Sequence, residues 1–383
     1  MIAYTNYTTD ARVRREAETL VQHGYSVLFL SLDEYIRPRK TEINGVTLYQ
    51  IKVIKYRGKN NLVYILSYIL FLLKAFVNCS FLTVRGNIDF VHIHNMPNFL
   101  VFAALLPRIL GKKIVLDIHD STPETYTGKF GALPKILYML LILEEQVCAA
   151  FAHKVICANH VQMKPLIQRG IPAEKITVSL NVPDPAIFNS RNRLPKKKSR
   201  KHFNIVYHGT LDKTLGIDLA IRMIKLLITA IPEVTFTIYG RGKDTPELCS
   251  LVKNLELEKY VYISDAMVPL SELPKKLSMM DIGLVPNRKN IATQQMLPVK
   301  LLEYVALEIP AVVPRLDAIA YYFSENMVTF YEAENIDSMA QAIISLYNDK
   351  SKRKKQALNA LKVLDTYGWA THKYELMKVY ENI

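Results

Sequence analysis

Cysteine is scarce in this chain, with four among 383 residues. Cys79, Cys148, Cys157 and Cys249 show neither paired nor metal-type spacing, which excludes a disulfide framework and structural zinc and fits a reducing compartment. The first residues, Met-Ile-Ala-Tyr-Thr-Asn-Tyr, contain no basic stretch followed by an apolar one, so no secretory signal is read there. Low-complexity tracts and short-period repeats are missing too. So is any interleaving of basic with aromatic residues, and no nucleic-acid partner is expected.

Half of the residues are hydrophobic, enough to fill two cores at this length. The net charge of +14 is concentrated in one half. Residues 1–200 hold 27 Lys+Arg against 14 Asp+Glu, whereas residues 201–383 hold 22 against 21. The first half therefore suits an anionic lipid surface or phosphorylated ligands.

Short apolar runs alternate with longer helical patterns. In the first half strands are predicted at 2–4, 26–30, 46–51, 90–94, 113–118 and 153–157, and helices at 11–23, 62–77, 98–110, 134–150 and 160–169. The run 191–201 carries seven positive charges in eleven residues and reads as a linker. A second series follows, with strands at 204–207, 235–239, 261–263, 282–285, 311–313 and 327–330. Its helices are predicted at 216–230, 245–254, 271–280, 299–307 and 336–349. This alternation implies two α/β domains with parallel sheets, Rossmann-like, facing a central cleft. The expected division is 1–190, the linker, 202–365, and a final segment 366–383. Ligands of such sheets bind beyond the carboxyl ends of the strands.

The motifs fall at those ends. Gln295-Met-Leu-Pro-Val-Lys-Leu-Leu-Glu-Tyr places Lys300 and Glu303 three residues apart on a short helix whose first turn accommodates Pro298. The pair reads either as a surface ion pair or as a carboxylate for ribose hydroxyls beside a cation. Tyr207-His-Gly-Thr precedes a helix, so Gly209, Thr210 and Lys213 could receive a phosphate, or form an ordinary loop. Gly240-Arg-Gly sets Arg241 between two glycines. Met267-Val-Pro could offer backbone groups to a base edge, with Ser271 capping the next helix as the structural alternative.

In the first half, His92 and His94 share one side of a strand, with no obvious carboxylate or cysteine to complete a metal set. His92 reads as packed; His94 and Asn95 lie at the strand mouth. Asp117-Ile-His-Asp gathers Asp117, His119 and Asp120, where a histidine can bond a sugar hydroxyl. Asp10 reads as a helix cap. Arg12, Arg14 and Arg15 then oppose the helix dipole, which implies an external anion or pairing of Arg12 with Glu16 and Arg14 with Glu18. Residues 62–77 are apolar, with Asn60, Ser67, Lys74 and Asn78 on one stripe. At that length the helix is too short to span a bilayer, and it lies either in a membrane interface or under the sheet.

In this order the motifs resemble glycosyltransferase family 4, whose members have the GT-B fold and transfer sugars with retention, and in particular bacterial enzymes that build surface polysaccharides. The resemblance covers nearly the whole chain. It implies a nucleotide-sugar donor, UDP- or GDP-linked, a lipid-linked or glycan acceptor, no cofactor and no metal. Glu303 would hold the ribose, Lys213 and the Gly209 turn the diphosphate, and Met267 and Val268 the base. His119, with Asp120 and Gln295, would serve the transfer, and Arg12, His94 and Asn95 would line the acceptor side. The last segment would cross back to the first domain, with Trp369 and Tyr374 as anchors. The enzyme would be cytoplasmic, at the inner membrane face.

Four positions depart from the family pattern. Gln295 stands where a second glutamate is usual, and Thr210 where arginine is. Lys213 lies three positions before its glycine, and Glu308 replaces a helix-ending glycine. Arg241 or Arg12 could supply a missing cation. A non-catalytic partner of the same fold is the alternative these departures raise.

Overall fold

A computed structural model describes residues 1–32, 40–53, 56, 61–86, 88–192, 202–264 and 266–383. The linker expected at 191–201 lies, beyond Asn192, outside the described residues, as does Asn60. The chain forms two compact units, Met1–Asn181 with His372–Ile383, and Val182–Thr371.

The first unit's strands are β1 Ile2–Ala3, β2 Val27–Leu32, β3 Lys40–Ile43, β4 Val46–Ile51, β5 Phe90–His94, β6 Lys113–Ile118, β7 Lys154–Cys157 and β8 Ile176–Val178. They run in the order β3-β4-β2-β1-β5-β6-β7-β8, parallel except for the β3–β4 hairpin. That hairpin turns through Asn44 and Gly45, both at positive φ, as a two-residue turn requires. β3 escapes the hydrophobic pattern because it is a polar edge strand.

The helices are α1 Ala11–Gln22, α2 Asn61–Val84, α3 Leu105–Ile109 after a 3-10 segment Asn98–Ala104, α4 Thr122–Phe130, α5 Lys135–Phe151 and α6 His160–Gln168. Asp10 caps α1 through Val13 N–H. One core lies under α2, the 3-10 segment and α5. The other lies under α1 and the C-terminal residues Leu376, Val379 and Tyr380. The last helix is anchored by these and by His372, whose Nδ1 lies 2.8 Å from Ser179 Oγ. Tyr374, expected as an anchor, is 64 % exposed.

α2 is longer than expected. It runs beyond Val77 because Cys79 and Leu82 continue its buried stripe. Of its polar residues, Ser67 is buried and bonds Tyr4 OH at 2.9 Å.

The second unit's strands are β9 Phe203–His208, β10 Val234–Tyr239, β11 Val261–Ile263, β12 Ile282–Leu284, β13 Ala311–Pro314 and β14 Thr329–Tyr331. Its helices are α7 Ile217–Ala230, α8 Thr245–Asn254, α9 Leu273–Leu277, α10 Ile291–Gln294, α11 Val299–Ala306, α12 Asp317–Tyr322, α13 Ile336–Asn348 and α14 Lys350–Tyr367, with α15 Trp369–Glu381 closing the chain. The all-parallel order β11-β10-β9-β12-β13-β14 reverses direction between β9 and β12. In sheets of this kind the loops on either side of such a reversal diverge, and ligands bind there. α9 is shorter than expected, and Glu272 rather than Ser271 precedes it.

In α11, Leu301, Leu302 and Val305 are buried as the apolar spacing predicts. Pro298 sits one position ahead of the first turn, at the cap. The helix ends with Glu308 N–H on Val305 O and Ile309 N–H on Tyr304 O, and Glu308 takes φ 51°. Glu308 thus adopts the left-handed conformation that glycine usually supplies at a helix end. Glu308→Gly is expected to relieve that strain and raise stability by ~0.5–1 kcal/mol, measured as a higher denaturation midpoint.

Candidate active site

In the second unit the functional groups gather where β9 ends. Gly209 has φ +123°, and a Cβ there would sit 3.4 Å from Lys300 Cε and Nζ. Gly240 closes β10 so tightly that a Cβ would lie 1.9 Å from Gly209 O. Glycine at 240 therefore serves the approach of two loops, a need independent of any phosphate. Ser264 Oγ accepts from Gly240 N–H at 3.2 Å and ties in the loop that carries Met267.

Lys300 and Glu303 do not pair with each other. Lys300 Nζ donates to Tyr207 OH at 3.0 Å and lies 4.1 Å from the centre of that ring. Burial lowers its pKa to about 8, with Glu303 opposing the shift. An ammonium with three donors thus has one protein partner among the described residues and stands against a glycine turn. Glu303, in the second turn of α11, meets His208 Nε2 through Oε2 at 2.5 Å. His208 Nδ1 lies 3.1 Å from Tyr304 OH. His208 fixes the carboxylate as a second-layer partner fixes a ligand, a role the sequence reading did not assign. Both residues are largely buried, so the reading of an exposed ion pair is corrected.

The remaining predicted residues of this unit are placed differently. Lys213 is exposed and lines a cavity of about 200 Å³ with Asp212, Asp218, Asp244 and Glu247, an acidic setting that suits a diphosphate poorly. Thr210 is exposed, and its carbonyl accepts from Tyr207 OH at 2.7 Å. The Arg241 and Met267 side chains are exposed, and Val268 is partly buried. Gln295 is partly buried at the end of α10.

In the first unit, Asp117 at the end of β6 organises the site. Its Oδ1 accepts from Arg12 at 2.7 Å, and around Oδ2 lie His119 Nε2 at 3.1 Å, His94 Nδ1 at 3.3 Å and His92 Nε2 at 3.7 Å. Burial works to raise its pKa, but Arg12 and His119 outweigh it and hold the carboxyl well below the usual range. Burial lowers His92 and His94, so both imidazoles are neutral at pH 7. His119 is the partly exposed member, with 19 % of its side chain accessible. His94 lines a cavity of about 260 Å³ together with Tyr4, Asp10, Tyr64, Tyr68 and His119.

Three expectations change here. Arg12 is buried and held by Glu16 and Asp117, so it is not a surface cation awaiting an anion. Arg14 does pair with Glu18, at 2.8 Å. Asn95 spends its amide on the loop after β6, accepting from His119 N–H at 2.8 Å and donating to Asp120 O at 2.7 Å. Asp120 itself is exposed. Finally, carboxylates do complete the histidine pair: donor atoms of Glu16, His92, His94 and Asp117 lie within 4.8 Å of one another. Arg12 already supplies positive charge to both carboxylates in that set.

Burial and the nearby Asp117 push Glu16 up to about 8 against the pull of Arg12. Its folded value thus exceeds its ordinary 4.5, so its contribution to stability is complete below about 4.5 and is lost as pH rises through 8. Glu16→Gln cannot titrate. Its melting temperature relative to the unmodified chain is expected to rise steadily between about pH 5 and pH 8; a constant difference would contradict a protonated Glu16.

Residues 9–181 match the family described as Glycosyl transferase 4-like domain, and residues 202–349 match Glycosyl transferases group 1. No curated protein is recognisably similar in sequence. Among solved structures, sucrose-phosphate synthase from Thermosynechococcus elongatus superimposes with a TM-score of 0.78 at 13% identity, over 100% of this chain and 98% of that one. Anabaena HepE in complex with UDP gives 0.74 at 13% identity, over 100% and 99%. A glycosyltransferase from Rickettsia africae gives 0.70 at 14% identity, over 99% and 96%.

Proposed function

A chain built from these two domains is a GT-B glycosyltransferase, and we propose that it moves a hexose from a UDP- or GDP-sugar, with retention, to a lipid-linked or polysaccharide acceptor. The observation that carries the nucleotide part is the pair of anchored groups at the switch point of the second sheet. Glu303, oriented by His208, offers a carboxylate to two ribose hydroxyls. Lys300, docked on Tyr207 against Gly209, offers a cation to the diphosphate. Lys300 takes the role the sequence reading gave Lys213. The UDP held by the Anabaena structure supports a nucleoside diphosphate as the common ligand.

On this reading the first unit receives the sugar and the acceptor. His119, held by Asp117, bonds a sugar hydroxyl, and the cavity walled by Tyr4, Tyr64 and Tyr68 has the aromatic and polar character a sugar ring needs. The acceptor hydroxyl attacks on the face the diphosphate leaves, and a departing phosphate oxygen takes its proton. Lys300 and the backbone N–H groups of the Gly209 turn stabilise the leaving group, which leaves no step requiring a metal. The reaction belongs at the cytoplasmic face of the membrane.

Incubating the purified chain with UDP- and GDP-hexoses tests this reading. Slow hydrolysis of one of them is expected, giving the anomer of the donor by NMR and undiminished by a chelator. Release of the opposite anomer would overturn retention. Nucleotide binding without turnover, even with authentic acceptor, would favour the non-catalytic alternative that Gln295 and Thr210 raise.

A further inference from the structure

In the first unit, α2, the 3-10 segment and α5 cover one face of the sheet as a single layer. The outer surface of such a layer normally meets water and is polar. Here it is apolar. Tyr68, Phe71, Ala75, Cys79 and Leu82 of α2 are buried in the core along nearly its whole length. The opposite stripe runs Leu62, Leu66, Leu70, Leu73, Val77 and Phe81, all exposed. α5 repeats the arrangement: Glu145, Cys148 and Ala149 face inward, whereas Ile136, Leu140, Leu143 and Val147 are exposed at helical spacing. Ile109, at the end of α3, adds a further exposed side chain at 72 %. The two stripes belong together, because the 3-10 segment touches both helices, Phe99 against Tyr68 and Asn98 on Glu144.

Cations border this face. Arg85 follows α2, Lys129 ends α4 and Lys135 opens α5, whereas at the end of α3 Arg108 lies over Phe151 and Lys112 pairs with exposed Asp89. Arg85 lies over the Phe81 ring at 4.1 Å and Lys129 over Phe130 at 5.3 Å, with cationic heads beyond apolar stems. The carboxylates of α4 and α5 are engaged inside: Glu124 and Glu145 pair with Arg169, and Glu144 accepts from Asn98. An apolar centre rimmed by cations matches an anionic lipid surface.

We propose that this two-helix face inserts into the headgroup interface of an anionic phospholipid bilayer, with α2 lying in the membrane plane. α2 is long and apolar enough to cross a membrane. Crossing would strip it from the core that holds Phe71 and Ala75, so it lies flat. The proposal deepens the membrane part of the proposed function and does not depend on transfer activity.

Flotation of the full chain with vesicles tests it, using phosphatidylcholine alone and phosphatidylcholine with about a third phosphatidylglycerol. The chain is expected to float with the anionic vesicles and at least about tenfold less with the neutral ones. Leu66→Gln combined with Leu140→Gln alters two exposed positions and is expected to cut flotation about tenfold or more, with the melting temperature and the binding of UDP or GDP unchanged. Three results would overturn the proposal: an unmodified chain that stays in the aqueous fraction, a double variant that floats undiminished, or self-association that the double variant abolishes. The last would assign the face to a second copy. Failure of the unmodified chain to bind either UDP or GDP would instead count against the donor site and leave the membrane result standing.

Discussion

Replacing Glu303 with alanine is expected to weaken binding of the nucleoside diphosphate by about 100- to 1,000-fold. Hydrogen bonds to a charged group are worth ~1.5–3 kcal/mol each, and a carboxylate spanning two ribose hydroxyls makes two of them. The lower part of their sum, ~3–4 kcal/mol, corresponds to that range. The substitution also strips His208 Nε2 of its partner, at a cost of ~1–3 kcal/mol in stability. Glu303→Gln separates the effects, because an amide oxygen can still accept from His208 while the charge on the ribose side is gone. A ribose ligand predicts an intermediate loss of about tenfold for Gln and no change in pyrophosphate affinity for either variant. A purely structural Glu303 predicts that Gln binds the nucleotide like the unmodified chain.

Lys300→Met is expected to lower kcat by about 100- to 1,000-fold, the usual cost of removing one donor from a developing negative charge. The same variant should be more stable, since methionine fills the space above Tyr207 without burying a charge. Higher stability with lower turnover is the opposite of what a structural residue gives. The pH profile adds a second sign. With a pKa of about 8 in the free protein, Lys300 is cationic at pH 7 and neutral above about 9. Nucleotide affinity should therefore fall as pH rises through 8, by up to about tenfold per unit, with proton uptake on binding. In Lys300→Met that limb disappears. An unchanged limb would assign it to another group.

Much of this molecule is written in local pattern. Buried parallel strands such as β6 and β9 read as short apolar runs between helices, because both faces of the sheet are covered. Patterning is weaker where polarity and structure part company. β3 is a polar edge, and α14 begins with a charged run and buries Gln356 through bonds to Thr329 and Val328. Its helical character therefore hides behind hydrophilic composition.

The site was legible in position and less so in partnership. Gly209, Lys300 and Glu303 were found because they lie at strand ends and helix starts. Their spacing suggested that Lys300 and Glu303 bond each other; folding gives them Tyr207 and His208, more than ninety positions earlier. In the same way the carboxylates beside His92 and His94 come from α1 and β6. The signal for His208 was its place between a buried strand and a glycine turn, where a side chain must point either into the core or at a ligand.

Calorimetric titration of UDP and of GDP into the full chain and into Glu303→Ala at neutral pH bears most directly on the central claim. One of the two nucleotides should bind the unmodified chain with one-to-one stoichiometry, and that binding should vanish in the variant. If neither binds, or if Glu303→Ala binds as tightly as the unmodified chain, the assignment of the donor site to the end of β9 is wrong.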